Sequence, residues 1–347
     1  MLKNAFKISF ELVLISILLI LLIWHNLVMY GISQGKGQLS IVWNAKPLEN
    51  IFNDASISDS VKQKLKLVSE IKQFAIDSLG INPSENYSTF YDQTNQPKLL
   101  TISACEAFSF KAKEWTFPFL GTVSYKGFFN KEEAKKEIEK LKEQNYDVDV
   151  YVPSGWSTLG WFKDPILSNM LRKSEGDLAN LIIHELTHGT LYVKNDVTFN
   201  ENLASFIGDK GAEQFLIRKF GINSKSYIDY EQSKTDEKIY NEYILKSAAR
   251  LDSLYHLLGR GNSEEDTRRE KKILINEIVV GVYRLPLYKK QLYFNFSLQA
   301  FSEGNAFFMA FTRYDSQYDL FEKEYKEKYN SNLKKYLNAM KEKYPSL

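Results

Sequence analysis

The chain has 347 residues, 44% hydrophobic, 25% charged and 14% aromatic, which excludes a disordered chain, a collagen-like repeat and a polytopic membrane protein. Its 45 Lys and Arg against 43 Asp and Glu leave a formal charge of +2, so bulk charge gives nucleic-acid binding no support. A single cysteine, Cys105, excludes an intramolecular disulfide and any multi-thiolate metal site, and reads as a buried thiol.

From Leu12 to Ile32 the clearly polar side chains are Ser16, His25 and Asn26. A helix over this run spans roughly 30 Å, the thickness of a bilayer's hydrocarbon core. Lys3 and Lys7 precede it, and no small-x-small cleavage pattern follows. Residues 1–32 are therefore expected to form an uncleaved signal anchor, one transmembrane helix attaching the protein to the membrane. Residues 33–347 would then be periplasmic or otherwise extracytoplasmic.

Further along, Val61, Leu65, Val68, Ile71 and Ala75 have helical spacing, predicting a helix over 60–79 stopped by Gly80. Thr, Ile, Phe and Trp enrichment predicts strand over 99–115, punctuated by Pro118 and Gly121, with another strand over 123–129. A charged amphipathic helix is predicted over 131–145. The alternation Asp147-Val148-Asp149-Val150-Tyr151-Val152 then predicts a strand. Downstream, Asp177 is expected to cap a helix over 178–193 and Thr198 another running to about 220. Helices over 240–258, 263–283 and 316–343 complete the pattern. The layout is α+β, with a mixed first half and a helical second half. Residues 33–347 form one domain or two lobes, 33–221 and 222–347.

Four histidines are present, and two fall in Ile183-His184-Glu185-Leu186-Thr187-His188. Residues four apart share a helix face, so both imidazoles can meet one Zn2+ ion, while Glu185 is placed to act as general base on a water. This is the zincin arrangement. A catalytic zinc needs three protein ligands and an open position. Lys194 stands six residues after His188, so a third histidine is absent there. Glu201, in the first turn of the next helix, is the expected third ligand. Asp209 and Glu213 lie deeper on that helix as alternatives, and Thr198-x-x-Glu201 also reads as a capping box.

The blocks Trp115-Thr116-Phe117-Pro118, Tyr125-Lys126-Gly127-Phe128-Phe129 and Ser157-Thr158-Leu159-Gly160-Trp161-Phe162 precede His184-Glu185-Leu186-Thr187-His188 and Phe199-Asn200-Glu201. In these blocks, in this order, the chain resembles the bacterial predicted zinc aminopeptidases, which are exported and membrane-attached. The resemblance implies a gluzincin-type metallopeptidase with His184, His188 and Glu201 as ligands and Glu185 as base. Many members carry a lipid-attachment cysteine near the N-terminus, and this chain has the apolar run instead.

The expected activity is hydrolysis of peptide or protein substrates, as an aminopeptidase. An endopeptidase of the same fold, or a zinc-stabilised binding module without catalysis, are the alternatives. In zincins the substrate backbone pairs with an edge strand above the active helix. Residues 150–152 and Ser157, Thr158, Leu159 and Gly160 are candidates for that role, the last four also reading as a tight turn. For the oxyanion-stabilising group, Tyr125, His256, Tyr283 and Arg284 stay open.

Overall fold

The structure is a computed structural model that describes residues 24–94, 96, 98–117, 121–153, 163–258, 263–301, 304–311 and 318–344. Helix α1 (His25–Asn44) leads to strand β1 (Lys46–Pro47), a short α2 (Leu48–Asn53) and α3 (Asp59–Phe74). The chain continues through β2 (Thr89–Tyr91), β3 (Leu100–Glu106), β4 (Trp115–Phe117), β5 (Gly121–Val123), β6 (Tyr125–Phe128), α4 (Lys131–Glu143), β7 (Tyr146–Tyr151) and β8 (Ile166–Leu167). From there it is helical: α5 (Glu175–His188), α6 (Val197–Phe220), α7 (Lys225–Leu258), α8 (Glu264–Tyr283), α9 (Lys290–Ala300), α10 (Asn305–Phe311), α11 (Tyr318–Tyr329) and α12 (Leu333–Lys343). The α+β expectation holds in this coarse form.

The expected membrane anchor and extracytoplasmic placement require correction. Among the described residues, no helix is long and apolar enough to cross a membrane. The apolar run from His25 onward opens α1, which continues past Gly31 through Gln34, Lys36 and Gln38. That helix packs on the rest of the chain: the Tyr30 ring stacks on Phe117 at 5.6 Å, and its hydroxyl donates to the Gly127 carbonyl at 2.8 Å. Ile41 is buried, and a Cβ at Gly37 would collide with the Phe129 ring. A hydropathy window averages over helix phase, so it merged a packed amphipathic helix with the apolar stretch before it. Residues 1–23 lie outside the described residues.

The predicted α3 ends as expected, with Gly80 at φ +80° after a π-helical turn over Ala75–Leu79. The long strand expected over 99–115 is split. After β3 the chain reverses at Ala107–Phe110, where the Glu106 and Lys113 amides donate back to the Lys111 and Ala104 carbonyls, and β4 pairs with β5 instead. The helix expected over 316–343 is likewise broken. Asn330 and Ser331 take positive φ, and the Asn332 side chain caps α12.

The central antiparallel sheet has the order β6-β3-β7. One face carries Ile102, Ala104, Phe128 and Val148 and packs on Ala134 and Leu141 of α4. The opposite face carries Thr101, Ser103 and Cys105 with their cross-strand partners, and it is polar. A second, larger core joins α3, α5, α6 and α12. In α5, Leu178, Ile182, Ile183 and Leu186 are all at or below 2% exposed, each worth about 1.5–3 kcal/mol relative to exposure. That burial fixes the rotation of α5 and leaves His184 and Glu185 on its less covered side.

Candidate metal centre

Helix α5 is capped by Ser174, whose hydroxyl accepts from the Asp177 amide at 3.1 Å and donates to its carboxylate at 2.7 Å. Asp177 is thus the third residue of the helix rather than its cap, which starts the helix three residues earlier than expected. The helix stops at His188. In the following loop, Asn195 adopts φ +64°, and buried Asn200 closes the loop with two 2.8 Å hydrogen bonds to the Val193 backbone. Helix α6 is capped by Asp196, which accepts from the Phe199 amide at 2.9 Å. Thr198 is therefore inside the helix, and Glu201 is not at the position of a capping-box carboxylate. Its side chain is left to turn back toward α5.

There it meets the histidines. The two imidazole Nε2 atoms are 3.2 Å apart, and they lie 3.5 Å (His184) and 3.4 Å (His188) from the two Glu201 oxygens. Helix α6 comes this close because Gly208 and Gly211 face α5. A Cβ at Gly208 would stand 3.2 Å from the His184 Cβ, and one at Gly211 3.0 Å from Ile183. A tetrahedral ion with ligands at about 2.0–2.1 Å has edges of about 3.3–3.4 Å. The imidazole–imidazole edge and the approach of each imidazole to its nearer Glu201 oxygen are close to that spacing, each imidazole meeting a different oxygen, and the two-nitrogen, one-carboxylate donor set suits zinc. His184, His188 and Glu201 can therefore hold a metal ion. His188 Nδ1 is buried with no hydrogen-bond partner among the described residues.

Electrostatics separate the two carboxylates. Burial would raise Glu201, but hydrogen bonds from His184 and His188 outweigh it and hold the carboxyl well below its usual range, ready to ligate as an anion. Glu185 goes the other way: burial raises it, and the neighbouring imidazoles offset only part of the shift. An acid–base group needs such an environment. Tyr87 is fully buried at φ +62°, and its hydroxyl has no partner among the described residues. Burial and then the field of Glu185 push its phenol well above its ordinary value.

The alternative ligands are committed elsewhere. Asp209 accepts from Asn180 and from the Tyr230 hydroxyl, and pairs with Lys234 at 3.0 Å. Glu213 pairs with Lys210 at 3.7 Å. Beside Glu201 opens a cleft of about 1030 Å³ between the start of α6, the polar face of the sheet, and α9 and α10. Tyr125 of β6 lines it, and burial together with the Glu201 charge raises its phenol. A family model described as "Putative aminopeptidase" matches residues 29–344. The chain belongs to that family. No curated protein and no solved structure matches it.

The family match begins inside α1, consistent with that helix being part of the folded unit. Of the four candidate oxyanion groups, Tyr125 lies at the cleft. His256 is 77% exposed on α7, its ring bonded to its own helix at Asp252, while Arg284 lines a separate groove with Tyr243 and Tyr283 is exposed. Ser157, Thr158, Leu159 and Gly160 lie outside the described residues. Asp149, Tyr87 and Tyr192 were not singled out by sequence. Tyr192 follows His188 by one helical turn's spacing, its ring 6.1 Å away, and that spacing was the available signal.

Proposed function

We propose that the chain is a zinc-dependent aminopeptidase with a zincin-like, gluzincin-type domain over residues 33–347. The observation that carries this reading is the His184–His188–Glu201 triangle with Glu185 beside it on the same helix. His184, His188 and Glu201 would hold one Zn2+ ion. When bound, zinc supplies Lewis-acid polarisation of the scissile carbonyl and lowers the pKa of a water toward neutrality. Glu185 would take a proton from the attacking water and return it to the departing amine. Tyr125 lines the same cleft as Glu201 and would donate to the developing oxyanion. A hydrolytic base adjoining the ligands argues for catalysis over a purely structural metal.

The test is Glu185→Gln. Zinc content should stay at that of the wild type while peptide hydrolysis falls by about 10²–10⁴-fold. Near-normal hydrolysis in the variant would refute the mechanism. Equal cutting of amino-blocked and free peptides would convert the aminopeptidase into an endopeptidase.

A further inference from the structure

The cleft beside His184, His188 and Glu201 carries acid and, among the described residues, no base. Its acidic lining residues are Asp149 and Glu201, and among the described residues no Lys, Arg or His lines it. Glu201 is taken by the two imidazoles. Asp149 has no ion-pair partner among the described residues and accepts only from the Val150 backbone. Its neighbour on the same strand face shows the contrast. Asp147 is neutralised by the Lys271 ammonium and accepts from the Asn305 amide at 2.7 Å. A half-buried carboxylate without a counter-ion is unfavourable, and binding sites keep such groups where the ligand brings the charge.

Sheet register says where that charge would sit. Ser103 of β3 faces Tyr125 on one side and Asp149 on the other, so the three form one row across the polar face. Two strand spacings make the row about 10 Å long, with Tyr125 at the end near Glu201. An extended peptide covers that distance in about three residues. Across the cleft, Phe296, Phe307 and Phe311 form a wall, with successive ring centroids 5.8 and 5.0 Å apart.

We propose that Asp149 binds the α-ammonium of the substrate about three residues before the bond presented to Tyr125, while the phenylalanine wall takes its first side chain, so the site selects peptides with a free, apolar amino terminus and releases short peptides rather than single residues. This rests on the peptidase reading above and assigns its specificity. Asp149 is then the residue that distinguishes a free from a blocked terminus.

The experiment is calorimetric binding of leucyl-alanyl-alanyl-alanyl-alanine amide and its N-acetyl form to the full chain stripped of metal, which reads binding without turnover. Wild type should prefer the free peptide by at least about tenfold, or about 1.4 kcal/mol. Asp149→Asn should abolish the preference and Asp149→Glu retain it, with unfolding curves showing that both fold. Equal binding of the two peptides by wild type, or an undiminished preference in Asp149→Asn, overturns the proposal. The peptidase reading fails separately: zinc-loaded wild type that cuts neither peptide refutes it, whatever calorimetry reports.

Discussion

Replacing Glu201 with Gln keeps the side chain's size and removes the charge that the two imidazoles hold ionised. Structural zinc sites bind with about 10–16 kcal/mol over four ligands, so one ligand is worth roughly 3 kcal/mol, on the order of 10²-fold in affinity. No acid on α6 can substitute. Asp209 is two helical turns further on, about 12 Å along the axis, and is held by Asn180, Tyr230 and Lys234. Zinc affinity measured by competition with a chromophoric chelator at pH 7 should therefore fall about 10²-fold in Glu201→Gln. In Asp209→Asn it should be unchanged, although melting should show that variant to be less stable, because Lys234 loses its buried partner. Unchanged affinity in Glu201→Gln, or an equal loss in Asp209→Asn, would refute the assignment of the third ligand.

Tyr125→Phe should lower kcat by about 10²-fold with KM little changed, since a donor to the oxyanion acts only in the transition state; a pure KM effect would contradict this. Gly211→Ala brings a Cβ to 2.8 Å from Leu79 and 3.0 Å from Ile183. Overpacking of about 1–3 kcal/mol outweighs the helix-propensity gain of about 1 kcal/mol, so thermal denaturation should show a lower Tm, and a higher one would argue that α5 and α6 sit further apart. Burial pushes the Asp149 carboxyl above its ordinary value. The folded state then holds that proton more tightly than the unfolded chain, so the associated stability is complete below the unfolded pKa of about 3.9 and is lost as pH rises through the folded value. Asp149→Asn has no such proton to lose. Denaturant titrations of the metal-free protein should show it gaining on wild type as pH rises from 3 to 7, and parallel profiles would contradict the shift.

Legibility followed sequence distance. The His184–Glu185–His188 face was readable because helical periodicity fixes it within four residues, and the Gly80 stop because only a local φ was needed. Cap positions slipped at both helices of the site. Ser174 and Asp196 outcompete Asp177 and Thr198, each by a hydrogen bond to an amide three residues on. The slip at α6 matters chemically, because a capping box at Thr198 would have consumed the Glu201 carboxylate. The break at Asn330–Ser331 escaped notice because the apolar pattern runs on across it. The α1 error shares a root with the missed break at Asn330–Ser331: a window of apolar residues says how much surface wants burial, and not what will cover it.

The cleft was a different matter. Tyr125, Ser103 and Asp149 come from three strands, and only antiparallel register puts them in a row. In sequence, Asp149 was one of two acids in a clear strand alternation, with nothing to tell it from Asp147. Packing separates them. Asp147 faces α8 and α10, where the Lys271 ammonium neutralises it and the Asn305 backbone amide donates to it, and Asp149 faces the cavity, where no cation is supplied among the described residues. The same pleat that hides one acid presents its neighbour on the same face to the substrate. A shift of one residue in the β3–β7 pairing would turn both acids into the apolar face against α4, so the charge of the cleft depends on that register.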